Sequence, residues 1–161
     1  MRILSGEEEQ EAIRYFDQTV ELSRKATCLR DKCGSLIVKG GIVIGEGYNS
    51  PPGNLDSQRR CSFDKTKYHS KVKDTTCCIH AEQRAIMDAL RKHPEEIIGS
   101  RLYFMRLDER GNATKSGKPY CTICSKMSLD VGLAEFTLWH EEGIRVYGTE
   151  EYNRLSFEYK E

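Results

Sequence analysis

The chain has 161 residues, with 25 basic and 25 acidic side chains and a formal net charge of zero. This length fits one domain with one core, and the balanced charge lacks the overall basic excess of a typical polynucleotide-binding protein. The sequence contains no run of roughly 18 apolar residues, as a membrane span requires, and its first ten residues are too polar for a signal peptide. We therefore expect a cytoplasmic protein in which residues 1–161 form a single domain.

The first part of the chain predicts a helix followed by a β-hairpin. Apolar residues recur at helical spacing over residues 5–26, and Ser5 and Glu8 have the spacing of a capping box. Two β-branched runs, residues 34–39 and 42–48, flank a Gly-Gly pair, which is typical of a hairpin turn.

The rest of the chain predicts a long loop followed by alternating helices and strands. Residues from about 49 to 76 are polar and basic, and a loop of this length is usually functional or anchored. The later elements are a helix (80–92), a strand (101–107), a polar turn (108–118), a helix (121–131), two strands (134–139 and 143–147) and a helix (149–159). This order predicts an α/β fold with three α-β-α layers around a central mixed sheet.

The number of cysteines points to metal binding or catalysis. Seven cysteines is a high count for a chain of this length, and the odd number argues against a complete disulfide framework. Disulfides are rare in reducing compartments, where clustered cysteines more often bind metals or take part in catalysis.

One histidine and two cysteines have the pattern of a catalytic zinc site. His80 begins one predicted helix, and Cys121 and Cys124 begin the next, three residues apart and therefore on one helix face. Helix N-termini favour the thiolate form that binds metals. Three ligands leave the fourth position of the zinc tetrahedron free for water, as in catalytic sites. We predict that His80, Cys121 and Cys124 hold a catalytic zinc ion.

Glu82 is placed to move protons beside this predicted zinc ion. Zinc lowers the pKa of its bound water, and the hydroxide formed can attack an electron-poor ring carbon that carries an amino group. His-x-Glu followed by Pro-Cys-x-x-Cys is the pattern of zinc deaminases. The alternative is a closed structural site with Cys77 or Cys78 as the fourth ligand, in which Glu82 has no role.

Four segments resemble a known family. They are Thr27–Val38, Gly47–Gly53, His80–Ile86 and the Cys121/Cys124 pair, within a similar region of about residues 10 to 148. Through them the chain resembles the cytidine deaminase superfamily, and most closely the deoxycytidylate (dCMP) deaminases. The resemblance implies a mixed five-stranded sheet with helices on both faces. It also implies the same zinc ligands, with Glu82 as the proton shuttle.

The resemblance further implies which residues contact the substrate. The sugar-contacting asparagine of the family falls on Asn49, and Arg84 stands where dCMP deaminases commonly have asparagine. We expect both side chains to contact the substrate, Arg84 through a phosphate. The alternatives are that Asn49 is a turn residue and that Arg84 pairs with a surface carboxylate. A second departure is Tyr120, which separates Pro119 from Cys121.

Some dCMP deaminases have a second, structural zinc ion, and the resemblance implies candidate ligands for it here. These candidates are Cys28, Cys61, His69 and Cys77, with Cys78 as a substitute for Cys77. A closed zinc site would anchor the long loop, which has no core of its own. The alternative is a set of free cysteines and a solvated histidine.

The sequence therefore predicts a zinc-dependent hydrolase that deaminates a cytosine nucleotide, with dCMP to dUMP as the first candidate. One alternative is a deaminase for another base or for tRNA, which the basic loop leaves open. Another is a zinc-stabilised nucleotide-binding module without activity. The expected partner is a small nucleotide, with no membrane association, and the resemblance implies a homo-oligomer.

Overall fold

The structure is a computed structural model that describes residues 1–115 and 117–160. Within these residues, one sheet contains β1 (Arg2–Ile3), β2 (Lys32–Lys39), β3 (Ile42–Tyr48), β4 (Arg101–Leu107), β5 (Ala113–Thr114), β6 (Glu135–His140) and β7 (Gly143–Gly148). The helices are α1 (Gly6–Arg24), α2 (Ala81–Lys92), α3 (Thr122–Asp130) and α4 (Thr149–Phe157). None of these described helices has the length and apolar composition that crossing a membrane would need.

The sheet is mixed, as the order of the elements predicts. Its strand order is β1-β7-β6-β4-β2-β3, and β5 pairs with the end of β4. β4 and β6 are parallel, whereas the other neighbouring strands are antiparallel. The five long strands are the predicted ones, and the sheet is extended by β1 and β5, which have two residues each.

Alternate residues of β4 face two separate cores on opposite sides of the sheet. Leu102 and Phe104 pack in the core that contains residues of α2 and α4. Tyr103 and Met105 face α1, where Phe16 is fully buried and its ring lies edge-on to that of Tyr103, with centroids 5.5 Å apart. Helices therefore cover both faces, and the three-layer α-β-α architecture is confirmed.

The predicted hairpin turn and the predicted capping box had different outcomes. Gly40 and Gly41 have positive φ angles of 56° and 80°, as a tight hairpin turn requires. The predicted capping box is wrong, because Ser5 makes no side-chain cap hydrogen bond. Glu8 instead accepts hydrogen bonds from Arg2 at 2.7 Å and pairs with Arg101 at 3.0 Å. These charge-assisted contacts are stronger than a neutral cap bond.

The long loop after β3 leaves and returns at one point of the fold. The N–H of Ile79 donates to the carbonyl oxygen of Ser50 at 3.0 Å, and these two residues form an isolated β-bridge. Between them lie three short 3₁₀ turns, Pro52–Asn54, Asp56–Gln58 and Lys65–Lys67. Cys61 and Cys78 are buried, so cysteine side chains provide much of the packing that the loop has.

Candidate metal centre and active site

The N-termini of α2 and α3 bring three side chains together that are far apart in the sequence. His80 is the N-cap of α2, and Cys121 is the N-cap of α3. Nδ1 of His80 lies 3.3 Å from Sγ of Cys121 and 3.2 Å from Sγ of Cys124. The structure therefore assembles the three residues that the sequence analysis selected as zinc ligands.

The donor atoms of this group suit a zinc ion. Zinc bonds of about 2.3 Å to sulfur and about 2.0 Å to nitrogen in a tetrahedron imply nitrogen–sulfur separations of about 3.5 Å. The three ligand atoms lie within 4.8 Å of one another, and no fourth histidine, cysteine or carboxylate joins them among the described residues. Cys78 lies in a separate group. An imidazole with two thiolates would therefore leave one metal position for water, as in catalytic sites.

The electrostatics of the group favour a thiolate. Cys121 accepts a hydrogen bond from the backbone N–H of Cys124 at 3.3 Å. Hydrogen bonds from Cys124 and His80 lower the pKa of Cys121 to about 5, whereas burial raises the pKa of Cys124. The hydrogen bond with Cys121 raises the pKa of His80 to about 9. A metal cation among these atoms would stabilise both cysteines as thiolates.

Glu82 is a buried carboxyl group beside the candidate ligands. Only 4% of its surface is exposed. Burial raises the pKa of Glu82 to about 7, and the charge of Cys121 adds to this effect. A carboxyl group with a pKa near neutrality can both accept and donate a proton at neutral pH. The first turn of α2 is further fixed by a 3.0 Å hydrogen bond from the N–H of His80 to the side chain of Gln83.

A cavity of about 180 Å³ opens beside His80, and its wall also includes Cys28, Cys61, Cys77 and Cys78. Asn49 lies in its wall and is buried. The Oδ1 atom of Asn49 accepts from the N–H of Cys33, and its Nδ2 donates to the carbonyl oxygen of Asp31, both at 2.9 Å. Each polar atom of this amide has the capacity for one further hydrogen bond. Asn49 therefore fixes the segment around Cys33 and also faces the cavity.

The side chain of Arg84 does not line the cavity beside His80. Its Nη2 donates to the carbonyl oxygens of Pro51 at 2.9 Å and Ser50 at 3.4 Å. It lines a different cavity, together with Asp88 and Arg91. The structure thus places Arg84 against the outer side of the loop that follows Asn49, and not in the wall of the cavity beside His80.

Four of the five cysteines outside the first group form a second one. The Sγ atoms of Cys28, Cys61 and Cys78 lie within 4.8 Å of one another. Sγ of Cys77 lies 3.4 Å from Sγ of Cys61. His69 is exposed, and its Nδ1 accepts a hydrogen bond from a nearby backbone N–H within the loop. The structure therefore gathers four cysteines and leaves His69 outside the group.

Sequence reasoning noted Tyr120 only as an inserted residue, and the structure gives it a position at the site. Burial raises the pKa of its phenol, and the charges of Glu82, Cys33 and Cys121 add to this effect. The residue still has 43% of its surface exposed, and its ring centroid lies 6.0 Å from that of Tyr159. Tyr120 is therefore partly exposed, and it is near enough to these three groups for their charges to act on its phenol. The signal in the sequence was the extra residue between Pro119 and Cys121.

Comparison with known proteins identifies the family. Residues 9–139 match the model of the cytidine and deoxycytidylate deaminase zinc-binding region, which covers most of the chain. The chain therefore belongs to this family, as predicted. A deoxycytidylate deaminase from Schizosaccharomyces pombe (strain 972 / ATCC 24843) is 32% identical over an alignment of 82 residues, and the match covers 48% of this chain and 26% of that protein. The chain thus matches about a quarter of the length of this curated relative.

Solved structures of other proteins show a similar fold. A dCMP deaminase from the cyanophage S-TIM5, in complex with dCMP and dUMP, is 25% identical with a TM-score of 0.54. The match covers 83% of this chain and 82% of that one. A cytidine deaminase from Burkholderia pseudomallei is 17% identical with a TM-score of 0.52, over 86% of this chain and 94% of that one. The cytidine deaminase-like fold is confirmed.

Proposed function

We propose that this protein is a zinc-dependent hydrolase that converts dCMP and water to dUMP and ammonia. The observation that carries the proposal is the three-ligand group of His80, Cys121 and Cys124 with the buried Glu82 beside it. The family of the chain and the dCMP-bound relative of similar fold support the choice of substrate.

The roles of the residues follow from their positions. When bound, zinc supplies the Lewis acidity that makes water nucleophilic at neutral pH. Glu82 takes up the two protons of the attacking water one after the other. It passes the first to ring nitrogen N3 as the oxygen bonds to C4, and the second to the 4-amino group, so that the C4–N bond breaks, the C4 carbonyl forms and ammonia leaves. The burial of Glu82 keeps its pKa in the range in which it can do both. His80, Cys121 and Cys124 hold the metal, and Asn49 is proposed to bind the sugar.

Ammonia release from a set of substrates tests this proposal. The zinc-loaded protein is given dCMP, deoxycytidine, CMP, dAMP, dGMP and a tRNA, with the Glu82→Ala variant as the control. The expected result is conversion of dCMP to dUMP with one ammonia per product, which is lost in the variant. Deamination of only an adenine or guanine nucleotide or of the tRNA would overturn the choice of substrate. No release from any of them by fully zinc-loaded protein would overturn the activity.

We also propose that the group of Cys28, Cys61, Cys77 and Cys78 holds a second, structural zinc ion. Four thiols are the donor set of a closed zinc site. Burial alone would raise the pKa of Cys61, but hydrogen bonds with the Leu29 backbone and with the Cys77 thiol lower it to about 7. Metal analysis of the purified protein should give two zinc ions per chain. One zinc per chain, lost in Cys121→Ser, would contradict the second site.

Further proposals concern the domain organisation, the cellular location and the oligomeric state of the protein. We propose that residues 1–161 form a single deaminase domain that acts in the cytoplasm as a homo-oligomer on a small nucleotide. The unpaired state of all seven cysteines is consistent with a reducing compartment, and the oligomer is implied by the family resemblance. Light scattering of the zinc-loaded protein tests the oligomer, and a monomeric mass at micromolar concentration would contradict it.

A further inference from the structure

The second cysteine group, which is formed by Cys28, Cys61, Cys77 and Cys78, lines the wall of the cavity beside His80. Sγ of Cys61 lies 3.4 Å from Sγ of Cys77 and 4.0 Å from Sγ of Cys78. Cys77 is partly exposed, whereas Cys61 and Cys78 are buried. A small reagent that enters this cavity therefore meets thiols that are already in contact with one another.

The sulfurs of Cys61 and Cys77 are held side by side by hydrogen bonds within the long loop. The backbone N–H of Arg60 donates to Sγ of Cys77 at 2.8 Å. Nη1 of Arg59 donates to Sγ of Cys61 at 3.7 Å, and Arg59 is itself fixed by an ion pair with Asp56 at 2.6 Å. Both cysteines lie outside the helices and strands. A bond between their sulfurs therefore needs movement within the loop only.

The cysteines of the candidate metal centre do not share this access. Neither Cys121 nor Cys124 lines the cavity, and the exposed fractions of their surfaces are 7% and 0%. Cys33 is also buried and does not line the cavity. Since oxidation of a thiol requires access to its sulfur, we expect a small oxidant in the cavity to react with the second cysteine group first.

We propose that Cys61 and Cys77 are a redox-active pair that hydrogen peroxide oxidises reversibly to a disulfide. In the first step, the sulfur of the partly exposed Cys77 attacks one peroxide oxygen, so that an S–O bond forms, the O–O bond breaks and water leaves. In the second step, the sulfur of Cys61 attacks that of Cys77, so that the S–S bond forms, the S–O bond breaks and a second water leaves. The two sulfurs lose two electrons to the peroxide, and the two thiol protons end in the two water molecules.

Oxidation of this pair also removes two ligands of the proposed second zinc ion. Zinc binds thiolates, so a disulfide leaves only two thiolates in a group that needs four for a closed site. Where thiolates hold the metal, the two protons of the reaction come from solvent. We therefore expect the release of one zinc ion per oxidised chain. This consequence rests on the proposed second zinc site, whereas formation of the disulfide does not.

The state of the pair should affect the candidate active site, because the long loop joins that site at both ends. Asn49 lies at the start of the loop, and His80 follows Cys77 by three residues. The hydrogen bond from the N–H of Ile79 to the carbonyl oxygen of Ser50, at 3.0 Å, ties the two ends together. A disulfide in place of the metal shifts these ends, and we expect dCMP turnover to fall roughly 10-fold. This effect on turnover rests on the proposed function.

Treatment of the zinc-loaded protein with hydrogen peroxide tests the proposal without any need for turnover. Peptide mapping should find a Cys61–Cys77 disulfide with the loss of two hydrogen atoms per chain, and a chromogenic chelator should detect the release of one of two zinc ions. Dithiothreitol with added zinc should restore both. Cys33→Ser is the matched control and should respond as the wild type does. The absence of this disulfide, or its formation only after a disulfide joins Cys121 to Cys124, would overturn the proposal.

Removal of one thiol tests the order of the two steps. In Cys61→Ser the reaction should stop at a sulfenic acid on Cys77, which dimedone labels, whereas the fully oxidised wild type should carry little of this label. No label on Cys77 would overturn its role as the attacking thiol. Equal dCMP turnover of the oxidised and reduced wild type would overturn the link to the active site. Failure of deamination altogether would leave the mapping of the disulfide intact, and thermal unfolding confirms that each variant is folded.

Discussion

A β-carbon on Gly47 would lie 2.1 Å from the carbonyl oxygen of Ala81. β3 and the first turn of α2 are therefore in direct backbone contact at the point where α2 carries the site. Ala81 lies between His80 and Glu82, so the depth at which α2 packs on the sheet sets the positions of both side chains. Gly45 allows the same close approach one turn later, since a β-carbon there would lie 2.4 Å from the carbonyl oxygen of Ala85.

Gly47→Ala should displace the start of α2 and damage the site. The clash is with backbone atoms, which cannot rotate away, so we expect a loss of about 1–3 kcal/mol in the free energy of unfolding. Zinc content and turnover should fall with it. Gly148→Ala is the control, because a β-carbon at Gly148 meets no atom within 4 Å. Urea unfolding and metal analysis of the two variants check this prediction, and equal stability of both variants would show that α2 tolerates the shift.

Cysteine substitutions should separate the two metal groups. Cys121→Ser should lose one zinc per chain and all measurable turnover, because serine is a poor zinc ligand in a site with only three protein ligands. Cys61→Ser should lose the other zinc ion and loosen the long loop. Cys33→Ser is the control, since Cys33 is buried but belongs to neither group. Zinc stoichiometry by mass spectrometry distinguishes the three variants, and loss of zinc from Cys33→Ser would contradict the assignment of ligands.

Glu8 should make a pH-dependent contribution to stability. Hydrogen bonds from Arg2, with further contacts to Arg101, lower the pKa of Glu8 to about 2, from an ordinary value of 4.5. Because the pKa is lower in the folded state, the contribution is present above about pH 4.5 and is lost as the pH falls toward 2. The Glu8 side chain is 39% exposed, so the contribution at pH 7 is about 0.5–1 kcal/mol.

Glu8→Gln should therefore be less stable than the wild type at pH 7 and equally stable near pH 2. Denaturant unfolding at several pH values checks this expectation. Glu9→Gln is the matched control, because Glu9 lies in the same turn of α1 and makes no ion pair in the described part of the chain. A difference between Glu8→Gln and the wild type that stays constant down to pH 2 would contradict the role of the ionised carboxylate.

The grouping of His80, Cys121 and Cys124 could be predicted from the sequence because its signal is local. Cys121 and Cys124 are three residues apart at a helix start, and His80 and Glu82 have a fixed spacing at another. The parallel pairing of β4 with β6 helps to bring these two helix starts to one side of the sheet. Several long elements were also predictable, α1 from its helical periodicity and β2 and β3 from their β-branched runs around the Gly-Gly pair. β1 and β5 were not, because two residues are too few to show one.

The side chains near the long loop were harder to predict, because the path of the loop decides what they contact. Arg84 is predicted to contact a phosphate, and in the structure its guanidinium donates to the carbonyl oxygen of Pro51 in this loop. His69 was a candidate ligand, but the loop leaves it exposed, whereas Cys78 lies beside Cys28 and Cys61. No spacing rule in the sequence fixes such a path, since the segment has neither helical nor strand periodicity.

Zinc content and dCMP turnover of the Glu82→Gln variant, measured on one sample, test most directly whether the buried carboxyl group drives deamination at the His80–Cys121–Cys124 site. Glutamine has a similar shape but cannot accept and return a proton at neutral pH. The predicted result is zinc at the wild-type stoichiometry with turnover reduced on the order of 10²- to 10⁴-fold. Turnover close to that of the wild type, with zinc fully retained, would contradict the proposed role of Glu82.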